Sequence, residues 1–218
     1  MPESNDSHNA NPALDIASRI ISWIFSPLIM PAYGTWLAMW GSPLAWLPER
    51  TRWYAVIYTA AITGLLPLTA ILIMRLAGTV SDPSLRDRRE RSLPYTIAAL
   101  CYMACGWYFI QAHAPQWLVM FFAGGAAAII VAAIVNLRWK ISAHATAAGG
   151  LVALVIRLIV INRCGFDLTG ALTGVILAAG LSGTARLILN RHTPMQIWLG
   201  YINGLTCTLI ASSIDIGL

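Results

Sequence analysis

Residues 185–196 read Ala185-Arg186-Leu187-Ile188-Leu189-Asn190-Arg191-His192-Thr193-Pro194-Met195-Gln196, a polar break between two long apolar stretches. Before it the apolar character runs over 167–187, and after it over 194–214. A helix rising 1.5 Å per residue needs roughly 20 residues to cross about 30 Å of hydrocarbon, and each stretch has that length. The break itself is written as a helix start. Thr193 stands as N-cap, Pro194 at the first helical position and Gln196 at the third, the pattern of a capping box ahead of an apolar run. The junction therefore reads as helix, turn and helix at a lipid–water boundary.

Working outward, the same reading extends over the whole chain. Of the 218 residues 58% are hydrophobic and only 11% are charged, where a soluble domain carries about 25% charged residues. Seven apolar stretches are long enough to span, near 20–46, 53–78, 94–112, 116–137, 143–162, 167–187 and 194–214. The first contains Pro27, Pro31 and Gly34, so a kinked or re-entrant segment is an alternative there. The fold class expected is all-α, a polytopic membrane helical bundle of about six or seven transmembrane helices. A polar tail over 1–16 is expected to be disordered, followed by one domain over 17–218. Nine tryptophans and seven tyrosines suit anchoring at membrane interfaces. The four cysteines (Cys101, Cys105, Cys164, Cys207) match no zinc or redox spacing and read as packing residues. Gly170 and Gly174, and again Gly200 and Gly204, form small-xxx-small pairs that allow close helix packing.

Hairpin parity places the charge. The short connections at 113–115 and 163–166 each return the chain to the side it left, so segments 79–94, 138–143 and 186–193 share one membrane face. That face gathers Arg86, Arg88, Arg89, Arg91, Arg138, Lys140, Arg186 and Arg191, eight of the fourteen basic residues. All but one of the fourteen are arginine, whose planar fork grips phosphate oxygens in pairs. A polyanionic ligand belongs on such a face. Arginines kept for binding do not count as topology signals, so the side of the membrane stays open.

The candidate chemistry lies in those three segments. His192 stands just ahead of a helix N-terminus, where free N–H groups and the dipole favour an anion and disfavour a protonated imidazole. Arg186, six residues earlier, can grip the same anion bidentately. In Lys140-Ile141-Ser142-Ala143-His144, Ser142 reads as the N-cap of the next helix and His144 falls in its first turn, placed to protonate a leaving alkoxide. In the 81–94 segment, Arg88 and Arg91 lie one turn apart and nearest the following span. Arg157 is the main charge inside an apolar stretch; snorkelling and a pair with Asp167 are the two readings for it.

With these residues in place the chain resembles the type 2 phosphatidic acid phosphatases, which share a core with vanadium haloperoxidases. That family carries, in order, K-x6-R-P, P-S-G-H and S-R-x5-H-x3-D. The third motif is matched by Ala185, Arg186, His192 and Gln196 at the family's spacing, and the second by Ile141-Ser142-Ala143-His144. The first is matched loosely, with Arg88 or Arg86 for the lysine, Arg91 for the arginine and Pro94 two residues late. The resemblance covers about residues 81–204. It implies a membrane hydrolase of a lipid phosphate monoester or diphosphate, with no metal and no cofactor. His192 would attack phosphorus and become phosphohistidine, and His144 would protonate the leaving group. Arg88, Arg91, Lys140, Ser142 and Arg186 would hold phosphoryl oxygens. Gln196 stands where the family has the aspartate that orients the histidine; its amide oxygen can accept an imidazole N–H but brings no counter-charge.

Two alternatives accompany that expectation: a catalytically impaired membrane protein that binds anionic lipid, and a lipid phosphotransferase. The expected partners are a lipid phosphate and the bilayer, not nucleic acid. A transporter is disfavoured because the ionisable groups gather at one interface rather than at the bilayer midplane.

Overall fold

The computed structural model describes residues 12–79, 92–161 and 165–214, and the regular structure among them is helical, with no strand. Two short helices come first, α1 (Pro12–Ile24) and α2 (Met30–Trp40). A 3₁₀ turn (Pro43–Trp46) leads to α3 (Glu49–Ala60), which runs through a π turn (Ala61–Leu65) into α4 (Leu66–Leu76). Then come α5 (Ser92–Gln111), α6 (Gln116–Asn136), α7 (Ala143–Ile161), α8 (Thr169–Ile188) and α9 (Pro194–Ser213).

Among the described residues, five helical segments are long and apolar enough to cross a membrane: Glu49–Leu76, α5, α6, α7 and α8. Helix α9 has the length, 20 residues, but carries Gln196, Asn203 and two threonines and is not among them. Outward-facing Ile134 and Leu177 are each 62% exposed and Ile210 59%, an apolar exterior that lipid accommodates and water does not. The protein is an integral membrane protein by these measures.

Of the two readings of the first apolar stretch, the structure favours the interrupted one over a single crossing. Residues 20–46 do not form one span. The chain turns at 25–29, where Ile29 and Met30 N–H groups both bond back to the Ser26 carbonyl. Pro27 and Pro31 supply no N–H, so a continuous helix is interrupted there. Helix α2 has 11 residues, about 16 Å, roughly half of what a crossing needs. The N-terminal boundary moves too: α1 begins at Pro12, inside the 1–16 segment assigned to a tail. That helix is amphipathic, with Asp15 and Arg19 paired at 2.7 Å on its exposed side while Ser18 and Ser22 are buried.

Proline also shapes the first full crossing. Pro67 lacks the N–H that would bond one turn back, and the Leu66 N–H reaches Ala61, five residues away, in a π turn. The Thr63 hydroxyl bonds the Thr59 carbonyl at 2.8 Å, and Thr35 and Thr59 hydroxyls meet at 3.2 Å to tie α2 to this helix.

Glycines set the α7–α9 pair. A Cβ at Gly200 would lie 2.8 Å from both the Ser142 carbonyl oxygen and the Ala145 Cβ, and one at Gly204 would fall inside the Thr146 carbonyl oxygen. The two helices therefore run side by side in the same direction with backbones in contact, as the Gly200/Gly204 spacing predicts. Gly170 and Gly174 differ: nothing lies within 4 Å of a Cβ at either, so that pair packs on no described residue. Antiparallel to α9 lies α6, joined to it by Asn203 Nδ2 donating to the Ala128 carbonyl at 2.9 Å and by Gln116 Nε2 to the Ile214 carbonyl at 2.8 Å.

At the end of the bundle away from residue 192, Trp40 meets Trp53 edge-on at 5.1 Å and carries the Arg52 guanidinium 4.6 Å over its ring. Trp46 packs against Phe166 at 6.3 Å, closing the 3₁₀ turn onto the α7–α8 connection. Asp167 does not pair with Arg157. Its Oδ1 accepts the Thr169 N–H at 2.9 Å just ahead of α8, and that bond, with one from the Thr169 side chain, holds the carboxyl below the usual range.

Candidate functional site

The α8–α9 junction begins with a helix stop that needs a left-handed residue. Asn190 has φ +50°. Around it the Arg191 N–H bonds the Arg186 carbonyl at 3.0 Å and the Asn190 N–H bonds the Leu187 carbonyl at 2.9 Å, the pair of bonds that defines a Schellman motif. Asparagine tolerates this backbone because its short polar side chain bonds locally. The stop keeps Arg186 in the last turn of α8, where a cation complements the helix dipole. It also turns the chain within four residues into the start of α9.

Thr193 caps that start as the sequence predicts. Its Oγ1 accepts the Gln196 N–H at 3.4 Å, and Gln196 Oε1 accepts the Thr193 N–H at 3.3 Å, a complete capping box. The same Gln196 oxygen lies 3.0 Å from His192 Nδ1. An amide oxygen only accepts, so Nδ1 carries the hydrogen and donates. His192 is 8% exposed.

Across the site, α7 opens on Ser142, whose Oγ accepts the Ala145 N–H at 3.3 Å and whose own N–H bonds the Gln196 carbonyl at 3.2 Å. The first turns of α7 and α9 are thus joined through backbone. His144, in that first turn, has Nε2 3.1 Å from the Ser22 carbonyl oxygen of α1. A carbonyl fixes the hydrogen on Nε2. Nothing in the spacing of the sequence brings α1 here; the signal missed is the Ser18/Ser22 stripe, one turn apart on an amphipathic helix.

His144, Arg186 and His192 line one cavity of about 260 Å³. Its other walls come from the Ser26–Pro31 turn, from Pro67 and Ile71 on α4, from Tyr95 and Tyr102 on α5, and from Phe121, Ala128 and Ala132 on α6. The cavity has a polar end of two imidazoles and a guanidinium, and a longer apolar body. Not every candidate comes to it. Ser142 is fully buried beneath α7 with its hydroxyl in the cap, Lys140 is half-buried beside it, and neither is among the lining residues. Gln196 acts behind His192 rather than on the wall. Arg88 and Arg91 lie outside the described residues. Among the described residues, no three of His, Cys, Asp and Glu gather in a way that could hold a metal ion.

Comparison with known proteins adds no relative: no family model, no curated protein and no solved structure matches the chain.

Proposed function

We propose that this chain is a membrane phosphatase that hydrolyses a lipid phosphate monoester or diphosphate through a phosphohistidine at residue 192. The observation that carries the reading is the shared cavity of His144, Arg186 and His192, with His192 Nδ1 tethered to Gln196. Tethering Nδ1 makes Nε2 the attacking nitrogen. In this reading Arg186 holds two phosphoryl oxygens in line with it. His144 gives its proton to the departing oxygen, exchanging the Ser22 carbonyl for the leaving group as acceptor. Water, giving a proton back to His144, then cleaves the phosphorus–nitrogen bond, releasing phosphate and returning both imidazoles to their starting states. Arg88 and Arg91, on the segment between α4 and α5, are the further phosphate ligands in this scheme, and the likeness of 185–196 and 141–144 to the type 2 phosphatidic acid phosphatases supports it.

A second reading has its own support. Gln196 Oε1 already serves the Thr193 N–H, so the amide fulfils a structural task without any catalysis. On that ground a lipid-anion binder with a weakened or idle nucleophile is the competing function.

The test is phosphate release from phosphatidate, phosphatidylglycerophosphate and polyprenyl phosphates by the purified protein, with and without a chelator. Hydrolysis of one class, insensitive to the chelator and reduced about 10³-fold or more in His192→Ala, is the expected result. Equal rates in wild type and His192→Ala overturn it.

A further inference from the structure

The end of the bundle away from His192 holds a cation that the proposed chemistry does not use. Arg52 lies three residues into the span Glu49–Leu76, about 4.5 Å along it. Trp36, Trp46, Trp53 and Tyr54 belong to this end and are between 43 and 74% exposed, an aromatic belt of the kind that sits at headgroup level. The Arg52 guanidinium lies 4.6 Å over the Trp40 ring, and Trp40 is held in turn by Trp36, stacked at 5.9 Å, and by Trp53, edge-on at 5.1 Å. A planar fork fixed in this way loses little freedom when it binds an oxyanion. The described residues give it no acceptor, and its Nε is buried without a partner. Glu49, three residues back on the same helix face, is the expected counter-ion, yet its Oε1 accepts the Trp53 indole N–H at 3.2 Å. Asp167, the other described acid at this end, is taken by the Thr169 N–H at 2.9 Å. Arg50 is spent on Tyr54, its Nε donating to the hydroxyl at 2.8 Å. Arg157, four residues from the same end of α7, also has a buried Nε with no partner. Positive charge at this end therefore exceeds what its described acids neutralise. Arginines near the end of a span are tolerated when they reach an anion or water at the interface, and the abundant anion at headgroup level is lipid phosphate.

We propose that Arg52, laid on Trp40, is the anchor of a second anion site, which binds the phosphate of a phospholipid in the leaflet opposite His192. The guanidinium grips two phosphate oxygens, and the exposed indoles of Trp36 and Trp53 offer apolar surface to the rest of the lipid. None of these residues lines the cavity that holds His144, Arg186 and His192. The site therefore stands whether or not the protein is a phosphatase.

The test is photolabelling of the full chain in lipid nanodiscs by phosphatidylglycerol that carries a diazirine on its headgroup, titrated as a tracer. Peptide mapping reads labelling of residues 36–54 apart from labelling near His192, so lipid bound at the other end does not enter the result. Arg52→Gln should weaken labelling of 36–54 about tenfold, the loss of a charge-assisted pair of hydrogen bonds. Arg52→Lys keeps the charge but loses the fork, and should weaken it about threefold or more. Arg50→Gln removes the same charge from the same turn, two residues away and so on another face, and should change labelling less than twofold. Trp40→Leu carries the test from α2 should the Arg52 variants fail to fold, with about threefold weakening expected from the lost cation–π contact. A diacylglycerol with the same diazirine, lacking phosphate, should label wild type and Arg52→Gln alike. Unchanged labelling in Arg52→Gln, or equal weakening by Arg50→Gln, overturns the site. Inorganic phosphate at millimolar concentration separates the two sources of the oxyanion: labelling that persists supports a lipid, and labelling that is abolished overturns the lipid assignment in favour of the free anion.

Discussion

His192 Nδ1 and Gln196 Oε1 stand 3.0 Å apart across the first turn of α9, and the same oxygen accepts the Thr193 N–H at 3.3 Å. One amide oxygen therefore both closes the helix cap and sets the tautomer of the imidazole. One hold on the orientation of the ring is thus built into the start of the helix.

Gln196→Asp separates the two functional readings. An aspartate at this position restores a counter-charge to an imidazole that becomes cationic in the phosphohistidine step, and loss of such a carboxylate costs a serine protease about 10⁴ in turnover. Because the histidine is itself the nucleophile in the proposed reaction, the expected gain is smaller, about tenfold or more in phosphate release. A binder shows no gain, and its affinity for the lipid anion is the only quantity to change.

Gly204→Ala and Gly174→Ala make a matched pair. The first puts a methyl into the Thr146 carbonyl oxygen across a backbone-to-backbone contact, which has no flexible end to yield. It should destabilise the bundle by about 3 kcal/mol or more. The second meets nothing within 4 Å and replaces a helical glycine, so it should be neutral or stabilise by up to about 1 kcal/mol. Thermal unfolding in detergent, followed by loss of monodisperse protein, reads both.

The α8–α9 turn makes a prediction of opposite sign for two residues at one site. Asn190 sits at φ +50°. Asn190→Gly should leave stability unchanged or raise it slightly. Asn190→Val places a β-branched residue in the left-handed region and should cost about 1–2 kcal/mol. If the site works as proposed, the valine variant also loses turnover, because the Schellman turn is what carries the chain from Arg186 to His192 within six residues.

Single cysteines report the arrangement of the loops. Replacements at Thr79, Trp139 and Asn190 should react with an impermeant maleimide from one side of sealed vesicles, and those at His113 and Gly165 from the other. Mixed labelling within either group would break the hairpin parity on which the shared face depends.

Local sequence carries its information where neighbouring residues decide the outcome. Thr193, Pro194 and Gln196 specify a helix start through contacts three residues apart, and Ser142 does the same for α7. Gly200 and Gly204 mark a close-packed face because a missing side chain permits backbone contact whatever the partner. The equal spacing of Gly170 and Gly174 carried no such consequence, since permission to pack is not the presence of a partner. Asn190 was readable as a left-handed stop only with the helix on either side already placed. The break at Pro27 and Pro31 was visible as an interruption, but the depth of the resulting short helix was not.

Composition and period thus established a membrane-embedded helical chain, its junctions and the types of residue gathered at them, because solvation by lipid and hydrogen bonding within a turn act on adjacent residues. Folding in three dimensions decided that α1 reaches His144 through Ser22, that Ser142 is spent on a cap and absent from the cavity wall, and that the Ser26–Pro31 turn, α4, α5 and α6 wall one cavity with His144, Arg186 and His192. Those outcomes depend on which helix faces meet, and van der Waals fit between segments more than a hundred residues apart leaves no short-range pattern to read.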